Sequence, residues 1–306
     1  MKQITFHCRV LTPMFIAGAD GVTPELRAPS LKGAMRYWWR AVQAEGDLDR
    51  LKKTEAGIFG GVGEEGGKSS FRIRITRAES LRTNNYRLLP HHSGDRNCFC
   101  VAINDERCSR GVTRRAFSPG QEFSVELSCG RLSQAFPPER LQALFTLTSI
   151  LGGLGKRSRR GLGSYEISGI GGRKPESVVD LGYIGVLLNT LAPGKFCINA
   201  NGIVLNGACD GRYPFIREIV IGREYASAET LLETVGMASH DHDVDYLGFV
   251  GMGQYKGQRL ASPVYVSVVS AGGGRFRPVI TTLNTVSERS LRGDIAVQQA
   301  FKVAIL

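Results

Sequence analysis

The sequence contains no uninterrupted apolar run of about 18 residues, the length that a helix needs to cross a membrane. Its first residues, Met1-Lys2-Gln3-Ile4, lead directly into an alternating pattern and not into the charged and apolar regions of a signal peptide. Cysteine is present only as an odd set of seven dispersed residues, which favours reduced thiols over a disulfide framework. These absences predict a cytoplasmic protein with no membrane partner.

Neither of the two common glycine-rich nucleotide loops is present. A Walker loop would place Lys-Ser or Lys-Thr after its last glycine, and a dinucleotide loop would follow a strand and open a helix. The segment Gly152–Tyr165, G-G-L-G-K-R-S-R-R-G-L-G-S-Y, instead follows a periodic apolar helix and precedes a short strand, Ser164–Ser168. Its five glycines permit a concave loop with exposed N–H groups, around which Lys156, Arg157, Arg159 and Arg160 would project. We interpret it as a polyanion cradle; the alternative is a mobile, solvated charge run.

The overall charge favours the first interpretation. The 306 residues carry a formal net charge of +11, which indicates an acidic partner such as RNA or DNA. A hydrophobic content of 42% over this length is enough for a sizeable core and most simply for two domains.

The periodic patterns predict an α+β protein. Residues alternate between apolar and polar at Ile4–Val10, Phe71–Ile75 and Phe123–Leu127, as in strands with one buried face. Helices are predicted at Leu31–Gln43, with Ser30 as N-cap, and after Pro137. The order β-α-β then β-α-β is typical of an antiparallel sheet with helices on one face and the other face free for a ligand.

The second half repeats this mixture of elements without a matching sequence repeat. We predict a packed segment at Asp180–Leu191, a strand at Ile216–Ile221 and a helix capped by Ser227. A hairpin is predicted over Val264–Val269 and Phe276–Leu283, and a last helix over Leu291–Ile305. Two domains are therefore expected, 1–175 and 176–306.

The helix Leu31–Gln43 has two distinct faces. Its apolar stripe consists of Leu31, Met35, Trp38 and Val42, and its basic stripe consists of Lys32, Arg36, Trp39, Arg40 and Gln43. A basic stripe that holds an indole can neutralise phosphates and stack on a base. The alternative is that Trp39 belongs to the core and that the stems of the cations cover apolar surface.

Two segments carry a resemblance to a known family. Thr12–Gly21, T-P-M-F-I-A-G-A-D-G, and Leu26–Ala41, L-R-A-P-S-L-K-G-A-M-R-Y-W-W-R-A, closely resemble the opening of the first Cmr subunit of type III-B CRISPR effector complexes. The loop at 152–164 resembles the glycine-rich loop of the wider RAMP superfamily. The resemblance is strong over 1–75 and 140–168, weaker at 259–263, and slight between them.

The resemblance implies two ferredoxin-like domains and a non-catalytic subunit near one end of a guide-RNA ribonucleoprotein. The implied partners are single-stranded guide or target RNA and other Cmr subunits, with no cofactor. On matching positions it implies that Arg27, Lys32, Arg36 and the cations of the glycine-rich loop face RNA. The complete predicted set of RNA-binding residues is Arg27, Lys32, Arg36, Trp39, Arg40, Lys156, Arg157, Arg159 and Arg160.

Two other functions stay open from the sequence. Some RAMP relatives are metal-independent endoribonucleases, and such chemistry needs a general base, for which His7 and His91-His92 are candidates. Metal-ligand residue types also occur at His240 and His242 and at Cys98, Cys100 and Cys108, each without a complete ligand set. The third possibility is a purely structural assembly subunit in which Trp39 anchors a partner protein. The scattered histidines favour a chain with no catalytic residue and no metal.

Overall fold

A computed structural model describes residues 2–61, 67–78, 81–87, 113–129, 136–174, 178–242, 245–250, 259–286 and 294–306. Its strands are β1 Lys2–Val10, β2 Phe71–Thr76, β3 Thr83–Arg87, β4 Thr113–Phe117, β5 Glu122–Cys129, β6 Tyr165–Ile170, β7 Phe196–Asn199, β8 Gly202–Leu205, β9 Ile216–Ile221, β10 Phe249–Val250, β11 Arg259–Leu260, β12 Val264–Gly272 and β13 Arg275–Leu283. Its helices are α1 Ala28–Gln43, α2 Leu48–Phe59, α3 Pro138–Leu151, α4 Leu181–Leu191, α5 Ala228–Asp241 and α6 Ala296–Ile305, with a 3-10 turn at Asp245–Leu247.

The first sheet has the ferredoxin-like strand order. Its order is β2-β5-β1-β6, and every neighbouring pair is antiparallel. With α1 after β1 and α3 after β5, the chain forms two β-α-β halves whose strands interleave. Phe6, Cys8 and Val10 of β1 are fully buried because period-2 alternation directs them to one face of the sheet. The predicted antiparallel sheet with helices on it is confirmed.

The second sheet has the order β12-β13-β9-β8-β7. Its elements β9, α5, β12, β13 and α6 follow the same plan, in which the third strand pairs with both the first and the second. The fourth ferredoxin position, beside β9, is occupied by β8, which comes earlier in the chain and also runs antiparallel to β9. The expectation of an α+β fold with ferredoxin-like domains is therefore confirmed.

Helix α3 lies at the centre of the molecule. Leu141 and every residue from Ala143 to Leu151 are buried, so the helix is enclosed on all sides. One hydrophobic cluster continues from the first sheet through α3 to α4 and the second sheet. The boundary near residue 175 separates the strands of the two large sheets, but division into two domains stays a prediction because this core crosses it.

Several local features differ from the sequence prediction. Helix α1 begins at Ala28 with Arg27 at the N-cap, so the assignment of Ser30 as the cap is wrong; Pro29 lies in the first turn, where its missing N–H costs nothing. Helix α2 was not predicted, although Asp47 caps it by accepting hydrogen bonds from two backbone N–H groups. Ser227 does cap α5, accepting from the Thr230 N–H at 3.1 Å.

Candidate nucleic-acid interface

The glycine-rich loop is packed closely against the rest of the protein. Gly155 has φ +91°, and a Cβ built there would lie 2.2 Å from the carbonyl oxygen of Phe15. Gly163 has φ +71°, and a Cβ there would lie 2.0 Å from the Leu154 carbonyl oxygen. Both positions therefore require glycine for conformation and for space. The loop is held against the segment that follows β1.

The backbone N–H groups of the loop are used internally. The Leu154 N–H donates to Gly163 O at 2.9 Å, the Lys156 N–H to Phe15 O at 2.8 Å, and the Gly163 N–H to Pro13 O at 3.0 Å. Donors that already have carbonyl partners are not available to an anion. The predicted cradle of exposed N–H groups is therefore wrong for these three positions.

Two of the four loop cations turn into the protein. The Arg160 guanidinium donates to the Ser262 hydroxyl and the Val264 carbonyl, each at 3.1 Å, and lies 5.1 Å from the Phe301 ring centroid. Arg159 donates to the Ser262 carbonyl and lies 4.9 Å from the centroid of Tyr265. The prediction that both side chains project outward is wrong. They join the loop to the segment before β12.

The other two loop cations differ from that pair. Lys156 is exposed, and Arg157 is half-buried with a left-handed backbone, φ 58°. Burial lowers the pKa of the Arg157 guanidinium below its usual value, because the charged form loses hydration. Within the described ranges neither side chain forms an ion pair or hydrogen bond. Both charges can therefore accept an external anion.

Lys156 forms one wall of a surface groove of about 170 Å³, here called the basic groove. Asn85 of β3 and Arg114 and Arg115 of β4, two strands that pair antiparallel, also line it. The remaining lining residues are Phe15, Ile16, Ala17, Gly21 and Val22. No carboxylate is among the lining residues, and three basic residues from two distant parts of the sequence border the groove. Arg114 and Arg115 are consecutive in β4, so their side chains project to opposite faces of the β3–β4 pair. Arg114 and Arg115 are not among the residues that the sequence predicts to bind RNA.

The basic stripe of α1 is partly neutralised by a residue that the sequence did not indicate. Glu55 of α2 lies between Arg36 and Arg40, with Nε–O distances of 3.2 and 2.9 Å. Arg36 also donates to the Gly60 carbonyl at 2.5 Å and lies 5.4 Å from the Phe59 ring centroid. These two arginines therefore fasten α1 to α2 and present a reduced positive field to solvent.

Trp39 belongs to the core. Only 3% of the residue is exposed, and its ring packs edge-on to Phe59 of α2 at 6.1 Å between centroids. The prediction that its indole is free for stacking is wrong, because α2 covers the face of α1 that the helical wheel leaves open. Trp38 is buried as predicted, at 2% exposure.

The remaining predicted cations of this region are less constrained. Lys32 lies over the Phe71 ring at 5.6 Å, and its pKa is lowered by burial and, to a smaller degree, by the nearby Arg36 charge. Arg27 lies 3.8 Å from the Glu25 carboxylate in a half-exposed pair. Neither contact is strong enough to prevent binding of a phosphate.

The histidines show no catalytic arrangement in the part of the chain that the structure describes. His7 Nδ1 lies 3.1 Å from the Ser124 hydroxyl across the β1–β5 pair. His240 is in the last turn of α5 and His242 is its C-cap, and no group of three metal-ligating side chains occurs among the described residues. His91, His92, Cys98, Cys100 and Cys108 lie outside those residues. No helix in the described ranges is both long and apolar enough to span a bilayer.

Comparison of the sequence with protein families agrees with the observed fold. The model of the RAMP superfamily matches residues 7–166, slightly more than half of the chain. This chain belongs to the RAMP superfamily. The matched region extends from β1 to the start of β6 and includes α1, the paired strands β3 and β4, and the glycine-rich loop. The resemblance inferred from the sequence is confirmed.

Two relatives from Pyrococcus furiosus are similar in sequence. The CRISPR system Cmr subunit Cmr1-2 is 29% identical over 189 residues, covering 55% of this chain and 96% of that protein. Subunit Cmr1-1 is 33% identical over 151 residues, and the match spans only 41% of its length.

Solved structures are similar over nearly the whole chain. The crystal structure of apo Cmr1 from Pyrococcus furiosus matches with a TM-score of 0.58 and 23% identity, covering 100% of this chain and 96% of that one. A chain in the cryo-EM structure of the type III-B Cmr-beta complex bound to cognate target RNA matches with a TM-score of 0.60 and 11% identity, covering 99% of both. At these identities the likeness establishes a shared fold.

Proposed function

We propose that this chain is a non-catalytic RNA-binding subunit of a type III-B CRISPR effector complex, working in the cytoplasm. It contacts the single-stranded guide or target RNA and packs against other Cmr subunits. The similarity to the Cmr1 subunits supports membership of such a complex. The basic groove supports the RNA contact.

The main support for the proposal is the set of basic residues that border the basic groove. Lys156 from the loop and Arg114 and Arg115 from β4 border one groove, and no carboxylate is among its lining residues. Arg115 donates to the Thr83 hydroxyl at 2.8 Å, a neutral partner, and within the described residues it forms no ion pair. Adjacent cations on one concave surface track a phosphate backbone and make its binding strongly dependent on salt.

The kinds of side chain in the groove support binding without cleavage. Cleavage through the RNA 2′-hydroxyl needs a general base, and no histidine, tyrosine or carboxylate is among the lining residues. Arginine and lysine neutralise phosphates but stay protonated near neutral pH. The proposed role is therefore to hold RNA.

Replacing Lys156, Arg114 and Arg115 with alanine should weaken binding to single-stranded RNA on the order of tenfold to a hundredfold. Each lost phosphate contact should reduce the slope of log K against log salt by about 0.7, or about 2 for three contacts. Fluorescence anisotropy with a labelled single-stranded RNA at several salt concentrations measures both quantities.

A charge-matched control is available on other surfaces. Lys2, Arg50 and Lys52 have side chains about three-quarters exposed, and replacing all three with alanine removes the same charge. If this variant loses as much affinity as the groove variant, general charge and not the groove binds RNA. Cleavage products from the unaltered protein, with or without EDTA, would favour the endoribonuclease instead.

The α1 cations form a second, weaker part of the proposed interface, comprising Arg27, Lys32, Arg36 and Arg40. Replacing Glu55 with glutamine should raise RNA affinity a few-fold, because Arg36 and Arg40 lose their neutralising partner. The free energy of unfolding should fall by about 1 kcal/mol, the upper range for partly exposed pairs. Anisotropy and urea denaturation measure the two effects.

Glu139→Gln makes the same charge change at a site 70% exposed and paired with Lys2. An equal gain in affinity from both variants would show that only net charge matters. The proposal that the α1 cations contact RNA would then be wrong.

A further inference from the structure

A cavity of about 660 Å³ lies between the two sheets, here called the edge cleft. One wall is β6, the edge strand of the first sheet, and the other is the end of β12, the edge strand of the second. Thr146, Ser149 and Ile150 of α3 also line the cavity, together with Lys174 after β6 and Tyr183 in the first turn of α4. A volume of this size is in the range of binding pockets.

The two walls are joined at one end only. The Val266 N–H donates to the Arg159 carbonyl at 3.2 Å, and the Val268 N–H donates to the Ser164 hydroxyl at 3.0 Å. Beyond these contacts β6 and β12 continue in the same direction, and among the described residues they share no backbone hydrogen bond. The cleft is the gap that opens as they separate.

The register of each sheet shows which backbone groups face this gap. The Leu11 N–H donates to Ser164 O at 2.9 Å, which makes Tyr165 and Ile167 non-hydrogen-bonded positions opposite β1. In the second sheet, the Leu283 N–H donates to Pro263 O at 2.8 Å. Because hydrogen-bonded and non-hydrogen-bonded pairs alternate from this pair, Ser270 is a non-hydrogen-bonded position opposite Phe276 of β13. The N–H and C=O groups of Tyr165, Ile167 and Ser270 therefore point away from their own sheets.

These backbone groups have no hydrogen-bond partner in the described part of the chain. The Tyr165 hydroxyl, on a residue only 1% exposed, also has none there. Buried or enclosed polar groups are rarely left unpaired in a native assembly, because each loses its hydration without gaining a hydrogen bond. Ligand groups at strand spacing would satisfy those of the backbone.

The charge of the cleft separates it from the basic groove. Its lining residues include two cations, Arg9 and Lys174, and two carboxylates, Glu122 and Glu166, with Arg9 Nε 2.8 Å from Glu166. A balanced set of charges does not favour a polyanion. In the described ranges Lys174 forms no ion pair, so one carboxylate of a ligand is favoured at the entrance.

We propose that the edge cleft receives an extended peptide segment of a neighbouring subunit, which adds as a strand between β6 and β12. Backbone amides at strand spacing recognise a peptide backbone, and the apolar side chains of Ile167 and Val269 contact alternate side chains of that peptide. A segment of about six residues matches the length of β6, which has 6 residues. The identity of the occupant rests on the proposed function; the cleft itself does not.

Hydrogen exchange of the backbone amides tests the proposal without a mutation. In the isolated chain the amides of Tyr165, Ile167 and Ser270 should exchange quickly, and that of Glu166, opposite Arg9 in the sheet, slowly. In the assembled Cmr complex the three fast amides should become at least tenfold more protected. Single-stranded RNA alone should not protect them.

Two substitutions complete the test. Ser270→Trp fills the cleft, and Cys197→Trp places the same ring on β7, the exposed opposite edge of the same sheet. Only Ser270→Trp should weaken incorporation into the complex, by tenfold or more, with both variants keeping the parental melting temperature and RNA affinity.

The possible failures are distinguishable. Normal assembly with unprotected amides would overturn the cleft proposal and leave the proposed function intact. Protection by RNA alone would assign the cleft to RNA and overturn the peptide. A chain that does not assemble with Cmr subunits at all would overturn the proposed function and this occupant together.

Discussion

Replacing Trp39 with alanine should lower the free energy of unfolding by roughly 3–5 kcal/mol, the range for deleting a buried aromatic side chain. The indole is 3% exposed and lies between α1 and α2, against Phe59. Phe59 in turn packs edge-on to Phe71 of β2, at 5.5 Å between centroids, so the loss should extend to the first sheet. Urea denaturation followed by far-UV circular dichroism measures it.

Trp38→Ala should cost a similar amount, because that indole is 2% exposed and lies 5.0 Å from the Tyr265 ring centroid. The control is Val186→Ala in α4, where the residue is 64% exposed and the change should stay within about 0.5 kcal/mol. A Trp39→Ala protein as stable as the control, but with weakened RNA binding, would restore the ligand-facing role of Trp39.

Replacing Arg160 with alanine should lower the free energy of unfolding on the order of 3 kcal/mol. The guanidinium donates to oxygens of Ser262 and Val264 and, at 3.3 Å, to the Leu247 carbonyl. Hydrogen bonds from a charged donor contribute about 1.5–3 kcal/mol each, and water would replace part of that in the variant. The thermal midpoint should fall by several degrees, which calorimetry measures.

Lys156→Ala is the matched control, since it removes one cation from the same loop at an exposed position. It should change stability by less than about 0.5 kcal/mol and reduce RNA affinity instead. The opposite pattern, a stable Arg160→Ala protein that no longer binds RNA, would show that Arg160 contacts the ligand directly.

The strands and the principal helices were predictable because their information is local. The alternation in β1, β2 and β5 and the periodic apolar residues of α3 repeat within a few positions, and each element follows from its own segment. Helix α2 was not predicted, and only three of its residues are buried. Its cap Asp47 and its buried residues Leu51, Ile58 and Phe59 were available as a signal.

The candidate site was only partly predictable. Lys156 stands out in a glycine-rich run, but Arg114 and Arg115 enter the groove only because β4 pairs with β3 about 30 residues earlier in the chain. Sequence spacing describes neighbours on one helix or strand. It does not show which separate segments meet.

By itself the sequence determined the net charge, the alternating strands, the buried stripe of α1 and the family motifs, all properties of single segments. Only the tertiary structure decided which neighbours contact the residues that the sequence pattern predicts to be exposed. Trp39 is part of the core because α2 covers it. Arg159 and Arg160 turn inward because the carbonyl oxygens of Ser262 and Val264 lie beside the loop. Glu55 partly neutralises the basic stripe of α1, which the sequence predicts to be free. A helical wheel gives the direction of a side chain, whereas its partner comes from contacts between segments far apart in the chain.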